Sequence, residues 1–262
     1  MTETLFQVER RAGGVVWLTI DRPEIHNAFD DRLIVELTGE LARLGSDDAV
    51  RVVVLTGAGR SFSAGADLNW MRRTSSYGEA ENLADARALA GLMQTLNELV
   101  KPTVARVNGA ALGGGAGLVA CCDVVVASER AVFGTTEVRL GLIPSVIGPY
   151  VLATVGARHA TRLMLTGERI SAAEAARLGL VHEVVPAEQL DQAVERVVGE
   201  LLKGGPAALA AAKRLIRDLA GRPIETSLID DTARRIAALR ATPEAREGVG
   251  AFLEKRPPRW LD

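Results

Sequence analysis

Three short stretches carry residue types able to do chemistry. The first is Val107-Asn108-Gly109-Ala110-Ala111-Leu112-Gly113-Gly114-Gly115-Ala116-Gly117-Leu118, in which five of twelve residues are glycine. An apolar run, Pro102 to Val107, leads in, and another, Leu118 to Ala120, leads out. The simplest reading is strand, glycine turn, helix start. Glycine at a helix start lets a ligand approach the backbone, leaves N–H donors free, and adds the positive end of the helix dipole. The second stretch, Ser61-Phe62-Ser63-Ala64-Gly65-Ala66-Asp67-Leu68, has the same character. Two such turns can aim one N–H each at a single oxygen, forming an oxyanion hole suited to enolate stabilisation at a thioester or ester. The third is Thr135-Thr136-Glu137-Val138-Arg139-Leu140-Gly141-Leu142-Ile143-Pro144, a carboxylate among apolar neighbours. Burial there would raise the pKa of Glu137 and fit it for proton transfer. Both ideas have plainer alternatives: glycine turns also serve tight packing, and Thr followed by Glu is ordinary helix-start chemistry.

The elements that must position these residues are legible from pattern. Leu5 to Val8 and Val15 to Ile20 read as strands around the turn Arg11-Ala12-Gly13-Gly14. Asp30 or Asp31 caps a helix whose apolar positions Leu33, Ile34, Leu37, Leu41 and Leu44 recur at helical spacing. Val50 to Thr56 is a nearly continuous apolar run, as in a strand buried on both faces. Glu79 to Val100 is a long helix closed by Lys101-Pro102, and Thr103 to Val107 and Asp123 to Ala127 are short strands. Alternating strand, loop and helix predicts stacked α/β units. Beyond about Gly156 six helical segments follow, Ala157–Leu165, Ala172–Leu178, Ala187–Leu202, Ala207–Leu219, Ile224–Leu239 and Pro243–Phe252, with Val181 to Val185 as one strand among them.

The bulk numbers bound the class of protein. The chain has 262 residues, 48% apolar and 24% charged, which suits a soluble globular fold with a real core. A net charge of -2 without a basic stripe gives no footprint for nucleic acid. Met1-Thr2-Glu3-Thr4-Leu5 shows no secretory n-region or h-region, and no apolar run reaches membrane-spanning length. The adjacent Cys121 and Cys122 suit a reduced, buried pair in the cytoplasm. His26, His159 and His182 lack ligand spacing, so no metal is expected.

Four motifs in order carry a resemblance. Phe62-Ser63-Ala64-Gly65-Ala66-Asp67-Leu68, Asn108-Gly109-Ala110-Ala111-Leu112-Gly113-Gly114, Glu137-Val138-Arg139-Leu140-Gly141 and Leu178-Gly179-Leu180-Val181 stand as in the crotonase, or enoyl-CoA hydratase/isomerase, superfamily. Arg22-Pro23 followed by Asn27-Ala28-Phe29 is similar to its N-terminal motif. The resemblance spans nearly the whole chain. It implies an α/β fold, the crotonase (ClpP-like) spiral of ββα units, with residues 1–200 as catalytic core. Residues 201–262 would form a C-terminal helical region that builds trimers, often paired into hexamers. It implies an acyl-CoA substrate and no permanently bound cofactor, coenzyme A entering only as part of the thioester. By match, Ala66 and Gly114 would supply the oxyanion-hole N–H groups, and Glu137 would exchange a proton with the substrate. Ala28, Ala64, Asp67 and Leu68 would lie along CoA, with Gly113, Pro144 and Lys255 completing the substrate-binding set. Lys255 would act from a neighbouring subunit.

Two departures stand out against the family pattern. Hydratases of this superfamily usually carry a second glutamate three residues after the oxyanion-hole glycine; here that position is Gly117. The usual glycine-rich run after the proline is replaced by Ser145-Val146-Ile147-Gly148-Pro149-Tyr150. Together with Trp70-Met71, Cys121-Cys122-Asp123 and Ala251-Phe252-Leu253-Glu254-Lys255-Arg256, they resemble a bacterial branch acting on methylglutaconyl-CoA and isohexenylglutaconyl-CoA, in leucine and acyclic terpene degradation. Three readings follow. One is hydration of a 2-enoyl-CoA, helped by a distal substrate carboxylate for which Arg139 is a candidate partner. A second is isomerisation of a 3-enoyl-CoA by Glu137 alone. A third is acyl-CoA binding without turnover, against which the retained Glu137 argues.

Overall fold

The computed structural model describes residues 4–261; Met1 to Glu3, part of the stretch read for a leader, and Asp262 lie outside the described residues. A first sheet has the order β1-β2-β3-β5-β7-β10, built from Phe6–Arg11, Val15–Ile20, Val52–Gly57, Thr103–Val107, Val124–Ser128 and Glu183–Val185. Only the β1–β2 hairpin in it is antiparallel. A second sheet has the order β4-β6-β8-β9, from Ser61–Ser63, Ala110–Leu112, Val132–Gly134 and Ile170–Ser171, with β8–β9 antiparallel. Each turn of the chain gives a long strand to the first sheet, a short one to the second, and then a helix. Thus β3 and β4 lead to α2 (Leu68–Thr74) and α3 (Glu79–Asn97), and β5 and β6 lead to α4 (Gly114–Cys121). This is the spiral of ββα units the resemblance implied.

The core has two compartments divided by the first sheet. On β3 every residue is buried, as the apolar run predicted. Its alternate residues part company, as period-two geometry requires. Val53 and Leu55 join a large cluster with α1 (Asp31–Ser46), α3 and the second sheet, while Val52 and Val54 face α7 (Leu190–Lys203) through Leu190, Ala193, Val194 and Val198. The five apolar positions foreseen on α1 are its buried residues, and Asp30 is its N-cap, accepting from the Leu33 N–H at 2.8 Å.

Three expectations need correction. The glycine stretch is not one strand-to-helix turn, because Ala110–Leu112 inside it is a strand of the second sheet, pairing with β4 and β8. That strand is too short for sequence periodicity to reveal, and its partners are distant in the chain. The helix expected from Ala157 is present, but an unforeseen helical part, from Gly148, precedes it in α5 (Gly148–Thr166), and the non-helical Gly156 (φ 73°, ψ 163°) separates the two. The strand expected over Val181 to Val185 is shorter: His182 precedes β10 and is exposed, and its Nδ1 accepts from the Val125 N–H at 3.0 Å.

After α6 (Ala172–Arg177), β10 and α7 come α8 (Pro206–Leu219), α9 (Thr226–Arg240) and α10 (Pro243–Glu254). Polar ties hold them to the body. Arg51, at the entry to β3, donates to the carbonyls of Leu202, Gly204 and Trp260 at 2.8–3.0 Å. Lys213 on α8 bonds Asp123 at 2.7 Å, and Asp123 also accepts from the Thr103 N–H and hydroxyl. Glu244 on α10 accepts from the N–H groups of Ala207 and Ala208, capping α8 from a neighbouring helix.

Candidate active site

The two glycine turns abut. Gly65 (φ 93°) and Gly113 (φ 52°) both adopt backbone conformations that side chains resist. A Cβ on Gly65 would stand 3.0 Å from the Leu112 carbonyl, and one on Gly113 would stand 3.9 Å from Gly65 Cα. The residue after each glycine presents an N–H. Gly114 opens α4, where the first N–H groups have no intrahelical partner. Ala66 forms an isolated parallel bridge with Phe29, made by Phe29 N–H to the Gly65 carbonyl and Asp67 N–H to the Phe29 carbonyl, both 2.7 Å. The Ala66 N–H takes no part in that bridge. Phe29 also places its ring beneath Gly114, where a Cβ would lie 3.0 Å from Cε2. One residue thus braces both turns, by backbone against Ala66 and by side chain against Gly114. Sequence reasoning quoted Phe29 only as part of a motif and missed this role; its place after Asn27-Ala28 was the available signal.

The segment carrying Phe29 is itself clamped. Asn27 is fully buried; its Nδ2 donates to the Ala58 and Ser61 carbonyls at 2.9 and 2.7 Å, and its Oδ1 accepts from the Arg22 N–H at 2.9 Å. Arg22 donates to the Ala28 carbonyl at 2.9 Å and pairs with Asp30 at 2.7 Å. Asn108 repeats the device in the next turn, donating to the Gly57 and Gly59 carbonyls.

Glu137 meets these turns from a third element, the 3₁₀ turn Glu137–Leu140 after β8. A Cβ on Gly113 would stand 3.4 Å from its Oε1. Its Oε2 is buried and has no hydrogen-bond partner among the described residues. Burial pushes the carboxyl pKa above the ordinary glutamate range, and no cation is among the causes that act on it. The helix-start alternative for this glutamate fits poorly, since neither Thr135 nor Thr136 caps the turn, and the Thr135 hydroxyl is buried unpaired. Two free N–H groups and a neutralisable carboxyl can together polarise a carbonyl and move a proton at the neighbouring carbon.

The remaining predicted residues fall into groups. Ala28 and Pro144 are buried, Ala64 is half-buried, and Ala66 and Leu68 are exposed at the mouth of the turns. Asp67 is buried with its Oδ1 engaged, accepting from the Asn69 and Trp70 N–H groups at 2.9 Å as N-cap of α2. Trp70 is buried and donates from Nε1 to Asp85 at 3.1 Å. Arg139 is exposed and makes no ion pair among the described residues, its side chain lying against Gly167. Lys255 closes α10 in the left-handed conformation, also without an ion pair, whereas Arg256 is spent on Glu247 and Glu254 at 2.6 and 2.7 Å. Cys121 and Cys122 are free and buried, and burial pushes both thiols up, Cys122 to about 12, which disfavours the thiolate. Among the described residues no cluster suits a metal ion, and no helix is long and apolar enough to cross a membrane.

Known proteins share this sequence pattern and this fold. The family profile described as "Enoyl-CoA hydratase/isomerase" matches residues 10–262. The chain is 36% identical over 260 residues to a 2,3-dehydroadipyl-CoA hydratase of Escherichia coli, covering 98% of each. It is also 36% identical to a 1,2-epoxyphenylacetyl-CoA isomerase of that organism, covering 94% of this chain and 95% of the other. A crystal structure of an enoyl-CoA hydratase from Shewanella pealeana superposes with a TM-score of 0.95 at 41% identity, over 98% of this chain and 96% of that one.

Proposed function

The chain belongs to the enoyl-CoA hydratase/isomerase family, and on that premise we propose that it hydrates a 2-enoyl-CoA bearing a second carboxylate, of the methylglutaconyl-CoA kind, to the 3-hydroxyacyl-CoA. The observation that carries the proposal is the convergence of the Ala66 and Gly114 turns on a Glu137 carboxyl whose Oε2 has no partner. The thioester oxygen lies between the two N–H groups, which stabilise the enolate as charge reaches it, each worth roughly 10²–10³ in rate. Protonated Glu137 gives its proton to C2, water adds its oxygen at C3, and the proton lost by water goes to the other carboxyl oxygen. Glu137 ends as it began, and one water is consumed. Ala28, Ala64, Asp67, Leu68, Gly113 and Pro144 line the path of CoA and the acyl group.

A distal substrate carboxylate fits the unpaired guanidinium of Arg139, two residues beyond Glu137. The name of the Escherichia coli relative agrees, since a dehydroadipyl group also carries a second carboxylate. A second reading, movement of a 3-enoyl double bond to position 2, is favoured by one observation: Gly117 offers no second carboxylate, and one base suffices for a one-proton shuttle.

Residues 1–200 act as the catalytic unit and 201–262 as an oligomerising region, giving a trimer or a pair of trimers. In support, α8 has no buried residue, and Ile216, Ile229, Val249, Phe252 and Leu253 stand exposed. The free thiols of Cys121 and Cys122 suit a cytoplasmic setting.

The test is a panel of 2-enoyl-, 3-enoyl- and glutaconyl-type CoA esters in ¹⁸O water, followed by mass. Hydration adds one labelled water; isomerisation adds none. Equal rates on glutaconyl-type and crotonyl-CoA would remove the acidic substrate, and a panel unchanged in mass would remove hydration.

A further inference from the structure

Gly117 lies in the interior of α4, three residues after Gly114, and faces the start of α5. A Cβ at this position would stand 2.3 Å from Ile147 Cγ2, 2.9 Å from Ile147 Cβ and 3.2 Å from Met93 Cε. Rotating the isoleucine cannot relieve the second of these contacts, because Cβ moves only with the backbone. That backbone is fixed: the Ile147 carbonyl accepts from the N–H groups of Tyr150 and Val151 at 3.1 Å, at the N-cap of α5. Ile147 is 2% exposed, so it cannot yield outward. Glycine in a helix interior is ordinarily a weakness. Here it is the condition for seating the isoleucine.

We propose that Gly117 and Ile147 form a single specificity-determining pair. Ile147 fills the volume that a side chain on this face of α4 would need, and so keeps any second acid–base group away from Glu137. Glu137 Oε2 has no hydrogen-bond partner among the described residues, and position 117 offers it no second carboxylate. Resting on the hydration reading above, the pair makes water orientation depend on an acidic group of the substrate, and so selects carboxylated over plain 2-enoyl-CoA esters. The two sequence departures, Gly117 and the run Ser145–Tyr150, are one structural change made at two places.

Two experiments test the pair. Alanine for glycine within a helix ordinarily raises Tm. Gly117→Ala should instead lower it by about 4 °C or more, as overpacking does in a chain of this size. In an Ile147→Gly background the same substitution should raise Tm. A Gly117→Ala protein more stable than wild type with Ile147 in place would overturn the packing argument. The second compares Gly117→Glu/Ile147→Gly with Ile147→Gly alone. Its rate on crotonyl-CoA relative to 3-methylglutaconyl-CoA should rise on the order of tenfold or more, and its pH profile should gain an ionisation. An unchanged ratio would overturn the specificity role. So would failure of the glutamate variant to fold while Gly117→Ala/Ile147→Gly folds, since the pair would then not govern what position 117 admits. If wild type hydrates neither ester, the hydration reading fails by itself, and the Tm cycle still decides whether the two positions are coupled.

Discussion

Glu137 is an acid held near a place where charge develops, with burial and not a neighbouring charge raising its pKa. The sign of the linkage follows. A carboxyl whose folded pKa is raised adds stability that is fully present below its unfolded pKa and is lost as pH rises through the folded one. Glu137→Gln should therefore be at least as stable as wild type at neutral pH, with its Tm advantage shrinking as pH falls through the raised pKa and gone below the ordinary glutamate range; thermal melts across pH check this. The same variant should lose roughly 10²–10⁴ in turnover, the usual contribution of a positioned acid–base group. Hydration begun by protonated Glu137 should weaken as pH rises past its pKa. Isomerisation begun by the carboxylate should weaken as pH falls below it, so the direction of the pH limb separates the two reactions. Arg139→Met should raise KM for carboxylated substrates several-fold and leave crotonyl-CoA untouched, a charge-assisted pair being worth about 1.5–3 kcal/mol at most.

At the scale of elements, the site is assembled from three turns that do not touch in sequence, and caps set their register. Asp67 is the N-cap of α2 one residue after Ala66, so the cap and the free N–H belong to the same turn. Asp67→Ala should cost about 1 kcal/mol of stability. Because α2 starts from that turn, the variant should also lower kcat, while Asp67→Asn, which keeps an acceptor, should restore both. Asn27 has a larger structural share: its removal takes the donor from the Ala58 carbonyl and the acceptor from the Arg22 N–H around a fully buried site, and leaves the Ser61 carbonyl only the longer contact from Asn108 Nδ2 at 3.4 Å. Asn27→Ala should cost about 3 kcal/mol, read by denaturant melts, since each stranded buried group costs about 1–3 kcal/mol. The alanine would also have to adopt the positive φ of 56° that asparagine tolerates.

The whole molecule poses the question of what covers its C-terminal helices. Ile216, Phe252 and Leu253 are 70%, 82% and 74% exposed, more than a chain with this well-filled core needs to leave in water. If these helices bring subunits together, equilibrium sedimentation should give three or six times 27.8 kDa. Lys255 is the natural probe of whether a neighbour completes the site. Lys255→Ala should raise KM for acyl-CoA, more so at low salt, without moving Tm, because an unpaired exposed cation contributes little to folding.

What the sequence determined by itself is local or periodic. The five buried positions of α1 follow from spacing, the two-faced burial of β3 from a continuous apolar run, and the helices after Gly156 from the glycines and prolines that punctuate them, because each signal acts within one element. The glycine turns and Glu137 were also legible as types, since few other residues serve at those tasks. What only the tertiary structure decided is contact between segments far apart in the chain. The short strand Ala110–Leu112 exists through its partners β4 and β8. Phe29 braces Ala66 and Gly114 across 37 and 85 residues of chain, and the orphaned oxygen of Glu137 is a property of its surroundings. Gly117 shows the division most plainly. The sequence revealed a missing side chain, and packing against Ile147 revealed why none fits, because exclusion of volume is a relation between two residues that no single stretch can display.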